Sequence, residues 1–549
     1  MIYVKCGASV PGNWIVRVAL AVAVAGTAWG AVDLMSYAAP AADTPWTGTW
    51  GAAPEGGGTT TFANQTFRDV VHTSISGTAA RIRLSNVFGS APVSVADVHL
   101  ANSTSPSRAT VDTASDRAVT FGGRTTTTIP VGGSVVSDPV AFAVGAESDV
   151  DISMYLPGNV TSEDFHQTGL QNTFRAAGDV SSAADFANPA TFQSSFFVAA
   201  LDVQNADAAG AVVALGASIT DGIASGNGAN RRWPNDLAHR LVAGGRTVGV
   251  LNEGISGNDE LRDGAGQSAL NRFARDVLGQ SNVKWVIYSD DPINDLGGTG
   301  AIPTSDQLTT GLKQLISQAH QANVKFLCST LTPAAPRADW TQQAETSREA
   351  INAFVRSANS GCDAIVDQDT ATHDPNDPTT YLPAFNSGDN LHPNEAGLQA
   401  IADAVDLNTF GPAGTPPPAA TVSLRAHANG RFVTAPNGGS SPLIASGTTD
   451  GTAERFTLQD LGDGNVALVA RANGELVTAE SAGTAPLIAN RQARGPWETF
   501  RLDHNGDGSV SLFAYADNEY VTADHAGAAP LIANRTAIGP WEEFDLITN

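Results

Sequence analysis

Two hydrophobic periodicities divide the chain. Between residues 46 and 205, apolar and polar positions alternate in short runs such as Ala80-Arg81-Ile82-Arg83-Leu84 and 150–156, set among Thr, Ser, Val and Gly. Alternation with a period of two turns one face of a strand to a core and the other to water, which predicts an antiparallel β-sandwich. From 209 to 408 the pattern changes. Strand-like runs at 211–215, 247–251, 285–288, 324–328 and 362–366, the first of them wholly apolar, alternate with helix-like spacing at 233–242, 307–322, 346–357 and 396–405. Strands without a polar face are buried on both sides, so this stretch predicts a parallel sheet with helices on both faces.

A third pattern follows. GPAGTPPPAA at 411–420 is an extended, proline-stiffened linker. Over 421–549 the sequence repeats with a period of 44: Val433, Val477 and Val521 correspond, as do Leu443, Leu487 and Leu531, and Phe456, Phe500 and Phe544. Each copy is too short to bury its own apolar face, so three copies should pack about a threefold axis. Trp497 and Trp541 recur in Gly-Pro-Trp-Glu, where the first copy has Thr452-Ala453-Glu454. They read first as packing residues, and alternatively as two sugar-stacking sites. Asp503-His504-Asn505-Gly506-Asp507-Gly508 imitates the start of a calcium loop. Its twelfth position is Ala514 where an acid is needed, so it reads as a turn.

Composition narrows the role. A formal charge of −25 repels nucleic acid and anionic membranes, which argues against a nucleic-acid partner. Lys5 and Arg17 precede an apolar run at 18–32 and the small residues Ala38-Ala39-Pro40-Ala41-Ala42. This is the pattern of a signal peptide over 1–42, with an uncleaved anchor as the alternative, and it predicts an exported protein. Cys6 would leave with the leader. Cys328 and Cys362 lie on strands expected to be neighbours and could form a disulfide or remain buried thiols. His72, His99 and His166 show no metal-ligand spacing and read as structural or exposed.

The candidate chemistry sits at strand ends in the middle segment. After the run 211–215, Gly216-Ala217-Ser218 would lift a hydroxyl to the carboxyl edge of the sheet, where open α/β sheets place their sites. A serine hydroxyl needs a base and an acid that orients the base, and Asp389-x-x-His392 supplies both residue types. Asp367 and His373-Asp374, on a Pro-rich loop, are rivals for those roles. Two further segments, Asn252-Glu253-Gly254-Ile255-Ser256-Gly257-Asn258 and Pro292-Ile293-Asn294-Asp295, follow neighbouring strands. They offer the Gly254 N–H and the Asn294 amide which, with the Ser218 N–H, would form a three-donor oxyanion hole.

These four blocks, in this order, resemble those of the SGNH/GDSL hydrolases: Ser218 in GASIT, Gly254 in NEGISGN, Asn294 in PIND and His392 in DNLHP. The resemblance covers about 209–408. It extends to 46–205, because exported actinobacterial members often carry a β-rich domain before the catalytic one; here that domain should be a docking surface. It implies a serine ester hydrolase that needs no metal or organic cofactor. The repeat over 421–549 resembles a β-trefoil of the fascin-like or ricin-B-like kind, which implies a polysaccharide as a further partner.

Two positions depart from the family pattern. Ala217 stands where the family usually has Asp, and Pro292 where it usually has Gly. Asp290 and Asp291 would oppose a basic His392 if they faced the site, or form a solvated loop pair if they did not. The expected substrate is an acylated carbohydrate. The alternatives are a lipid, handled by a lipase or lysophospholipase, and a decayed hydrolase that only binds carbohydrate. A monomer is the default.

Overall fold

The computed structural model describes residues 44–297, 302–412, 420–462, 465–492, 495–505 and 508–548. The expected leader over 1–42, most of the linker at 411–420 and part of the turn after Asp503 lie outside them. No described helix is long and apolar enough to cross a membrane.

The middle segment folds as the alternation of strand-like and helix-like stretches predicts. Five parallel strands lie in the order Val248–Gly254, Gly210–Gly216, Val283–Tyr288, Lys325–Ser329 and Ala364–Val366. Leu215 pairs with Glu253 on one side and Tyr288 on the other, so three strands reach the same edge together. Helices Trp233–Ala243, Ser305–Gln321, Gln342–Val355 and Glu395–Asp403 match the predicted helical stretches to within a few residues at each end. Leu237, Leu241, Leu312, Leu315, Ile351 and Leu398 bury their apolar stripes against Val212, Val213, Val286 and Phe326. Thr304 starts the longest of the described helices with a reciprocal cap, accepting from the Gln307 N–H while the Gln307 side chain accepts from its own.

The N-terminal region is β-rich, as the alternation predicts. Four antiparallel strands, Trp46–Gly51, Val198–Gln204, Ala80–Asn86 and Gly133–Val136, form one sheet. A seven-stranded sheet built around Thr61–Thr73, Ser148–Thr161 and Val93–Asn102 forms another. Phe67, Ile82, Leu84, Val95, Ile152 and Leu201 share one core.

This region is welded to the parallel sheet. Gly48 N–H donates to the Ser281 carbonyl at 3.1 Å and the Ser74 hydroxyl accepts from Val250 N–H at 2.9 Å. The backbones meet so closely that a Cβ on Gly249 would lie 1.9 Å from the Gly48 carbonyl oxygen. Only glycine permits that approach.

The C-terminal repeats close on themselves. Strands Ala420–Ala426, Arg455–Gly462, Asn465–Ala470, Phe500–His504, Val510–Ala514 and Phe544–Thr548 pair in sequence, and the last pairs back to the first, giving a six-stranded barrel. Three hairpins, starting at Phe432, Leu476 and Glu519, are joined by a ring of hydrogen bonds. Leu443 N–H donates to Leu487, Leu487 to Leu531, and Leu531 back to Leu443, at 2.7–2.8 Å. Phe456, Phe500 and Phe544 are fully buried. Trp497 and Trp541 correct the packing expectation: they are 36% and 38% exposed, because Glu498 and Glu542 turn inward to cap Gly495 and Gly539 N–H and leave the indoles outside.

Cys328 and Cys362 are disulfide-bonded, Cα to Cα 5.8 Å, tying the Lys325–Ser329 strand to the segment before its neighbour across 34 residues of chain. Closing such a loop should contribute about 3–4 kcal/mol by restricting the unfolded chain. Replacing both cysteines with alanine is expected to lower the unfolding free energy in urea by about that amount.

Candidate functional site

The strand Gly210–Gly216 ends in a turn that places Ser218 at the sheet edge, and the turn is held from below. Asp290, 2% exposed, accepts from Ala217 N–H at 3.0 Å, Ile219 N–H at 2.8 Å and the Thr220 hydroxyl at 2.6 Å. A Cβ at Gly216 would lie 2.2 Å from Thr220 Oγ1 and 2.4 Å from Asp290 Oδ1, so the turn needs glycine there. Residues Ser218–Asp221 form one helical turn, ended by Gly222 at a φ of 102°.

The Ser218 hydroxyl meets His392. Nε2 lies 2.8 Å from Oγ, and the Nδ1 of His392 lies 2.6 Å from Asp389 Oδ2. Asp389 Oδ1 accepts from the backbone N–H of both Leu391 and His392 at 2.8 Å. Burial alone would raise its pKa, but these bonds and the imidazole outweigh that and hold it at about 2. An ionised carboxylate fixes the Nδ1 proton toward itself, which leaves the Nε2 lone pair facing the serine. The sign follows: this depressed carboxylate contributes its hold on His392 fully above pH about 4 and loses it only as pH falls through about 2. The helix Glu395–Asp403, capped by Asn394 accepting from Gly397 N–H, anchors the loop behind His392. The rivals stay apart from Ser218. Asp367 caps a short helix and pairs with Arg356, while His373 lies beside Asp369.

The acids before Pro292 correct an expectation. They are not a solvated pair; both are buried. Pro292 occupies the first turn of a helix, Asp291–Leu296, where its missing N–H costs nothing. The start of that helix brings Asp290 under the nucleophile turn. Asp291 accepts from Asn258 Nδ2 at 2.8 Å and lies 3.5 Å from buried Arg272. Burial pushes its pKa up to about 7, against the pull of Arg272. The same helix presents Asn294, half-buried, whose amide donates one proton to the Asn258 carbonyl at 2.9 Å.

Gly254 is a second correction. Its N–H donates at 3.0 Å to the Asn252 side chain, two residues back, and is therefore not offered to a ligand. Gly254 packs instead behind the nucleophile turn, where a Cβ would lie 2.4 Å from Asp221 N. Farther along the same loop, Ile255 N–H donates to Gly216, Ser256 N–H to Asp221 and Asn258 N–H to Ile255. Gly257, exposed at a φ of 81°, is left among these described residues with an N–H that no hydrogen bond uses. The block holds two glycines, and hydrogen bonding, burial and φ separate them.

His166, one of the histidines that read as structural or exposed, is structural and buried. It is 5% exposed and reaches across to the catalytic loop, with Nε2 3.2 Å from Asp221 Oδ1. Nothing in its local sequence signals that. Among the described residues, no group of three or more His, Cys, Asp or Glu side chains is arranged to hold a metal ion.

Comparison with known proteins locates the family. Residues 212–405 match the model of the GDSL-like Lipase/Acylhydrolase family. Among solved structures, a GDSL-like lipase from Bacteroides thetaiotaomicron VPI-5482 is 20% identical, with 35% of this chain and 84% of that one covered at a TM-score of 0.28. The lipase/acylhydrolase from Enterococcus faecalis is 19% identical, covering 37% and 95% at 0.29. A designed 3-fold symmetric protein, ThreeFoil, is 25% identical over 23% of this chain and 97% of its own, at 0.22. None of the curated proteins matches. The match over 212–405, spanning the strand before Ser218 through His392, identifies this segment as a GDSL-like lipase/acylhydrolase domain and the protein as a serine hydrolase of esters.

Proposed function

We propose that the chain is an exported esterase that removes acyl groups from a carbohydrate. The observation that carries the reaction is the unbroken line Asp389–His392–Ser218, with contacts of 2.6 and 2.8 Å. Ser218 Oγ attacks the acyl carbonyl while His392 Nε2 takes its proton, and Asp389 stabilises the imidazolium. The oxyanion is met by the N–H of Ser218, the N–H of Gly257 and the second amide proton of Asn294. Collapse of this intermediate releases the alcohol, which takes the proton from Nε2 and leaves the acyl group on Ser218 Oγ. Water, deprotonated by His392, then attacks the ester, and the acid departs with Ser218 restored. Such an intact proton path argues against a decayed site.

The carbohydrate assignment rests on the C-terminal module. We read the closed barrel, with its ring through Leu443, Leu487 and Leu531, as a β-trefoil, and the N-terminal pair of sheets as a sandwich. Trp497 and Trp541 stand out on the trefoil surface, where an indole face can stack on a sugar ring. Export is supported by the disulfide, which persists in oxidising compartments.

Ser218→Ala should fold and lose at least about 10³-fold in kcat. Release of acetate from acetylated xylan and of p-nitrophenol from acetate, butyrate and palmitate esters measures both chemistry and preference. Serine-dependent turnover of short esters and acetylated polymer is the expected result; turnover confined to palmitate would move the substrate to lipid. Asn294→Ala should lower kcat by roughly 10²–10³-fold with little change in KM. Asp290→Asn turns one accepting oxygen into a donor facing an N–H. Thermal unfolding and p-nitrophenyl acetate turnover should show a loss of roughly 1–3 kcal/mol in stability, with a fall in kcat.

A further inference from the structure

Ester hydrolysis of this kind needs its oxyanion donors fixed before charge develops, since donors that must reorganise lose most of their advantage. Gly257 has no side chain to pack and adopts a left-handed φ, so its N–H is only as well placed as its neighbours. The residue before it is held by a single carboxylate. Asp221 Oδ2 accepts both the N–H of Ser256, at 3.1 Å, and the Ser256 hydroxyl. The other oxygen of Asp221 faces His166 Nε2 at 3.2 Å. His166 does not belong to the parallel-sheet segment. It sits on a short strand, Phe165–His166, of the N-terminal β-rich region, with Nδ1 3.1 Å from the Ala53 carbonyl and 3.2 Å from Glu55 Oε1.

We propose that His166 is a positioning residue for the hydrolysis, fixing the Gly257 donor through Asp221 and Ser256 and making the N-terminal region part of the catalytic unit. This rests on the assignment of Gly257 as an oxyanion donor in the proposed function. Two further contacts hold the two regions in register at this point: Gly228 N–H donates to the Leu170 carbonyl at 2.8 Å, and Arg232 to the Gly169 carbonyl at 3.0 Å. Both acceptors lie within four residues of His166 on the same loop. Burial opposes a charge on His166, but Asp221 and Glu55 on either side outweigh it and push its pKa well above the ordinary range. A cation there adds to the buried guanidinium of Arg232 in answering the charge of Asp221, which is 1% exposed.

The test is a double-mutant cycle in the full chain. His166→Gln, Ser256→Ala and the pair are compared with the unmodified protein for kcat and KM on p-nitrophenyl acetate, with thermal unfolding as the check on folding. Each single variant is expected to lower kcat by roughly 10-fold or more while KM stays within about 2-fold, because the contact matters in the transition state. The pair should lose little beyond the worse single variant, since both cut one line of contacts. Ser256 is half-buried at the surface of the loop and keeps the cycle readable if His166→Gln fails to fold. Full kcat in a folded His166→Gln protein, full kcat in Ser256→Ala, or additive losses in the pair would overturn the proposal. Ser218→Ala, run alongside, separates the two ideas: residual turnover in it would sink the nucleophile assignment, whereas its silence beside an unaffected His166→Gln would sink only the role of His166.

Discussion

Three donors sit in the buried turn after the strand Gly210–Gly216, and that turn exists only because they are answered. The N–H groups of Ala217 and Ile219 and the hydroxyl of Thr220 all converge on Asp290. Each would cost roughly 1–3 kcal/mol if left bare in this interior. With that carboxylate in place, the backbone between Ala217 and Ile219 is fixed, and Ser218 stands above it with its hydroxyl against His392. The position of Asp290 depends in turn on the short helix begun by Pro292, which also carries Asn294. One element thus braces the Ser218 turn from below and ties Asn294 to the Asn258 carbonyl.

The rest of the molecule is arranged around that edge. The strands flanking Gly210–Gly216 end level with it, so the loops after Gly254 and Tyr288 meet where the hydroxyl emerges. The β-rich region packs its first strand against the Val248–Gly254 strand through Gly48 and Gly249, where the backbones nearly touch. The Val248–Gly254 strand is therefore packed between two regions of the chain. The C-terminal barrel owes its closure to repetition: three copies of one apolar pattern share a single core built on Phe456, Phe500 and Phe544.

Much of this was legible in the sequence. Strand-like runs alternating with helix-like spacing made the parallel sheet and its flanking helices legible. The 44-residue period required a threefold core. Asp389 and His392 lie three residues apart on one loop, but joining them to Ser218, 174 residues away, rested on the resemblance of the four blocks to a family pattern. What could not be read depends on partners far along the chain. Asp290 meets Ala217 across 73 residues, and His166 meets Asp221 across 55 and a change of fold. Gly254 and Gly257 differ in burial, in φ and in which N–H is already spent, all properties of the folded backbone. Trp497, which reads first as a packing residue and alternatively as a sugar-stacking site, stands outside because the buried Glu498 takes the inward position.

The central claim is that Ser218 is the activated nucleophile and His392 its base. Covalent labelling with a fluorophosphonate, followed by peptide mass spectrometry, tests it most directly. A single adduct on the peptide containing Ser218, formed rapidly in the unmodified protein and slowed by at least about 10³-fold in His392→Ala, is the predicted result. A folded protein that takes no label, or takes it on another residue, would contradict the account.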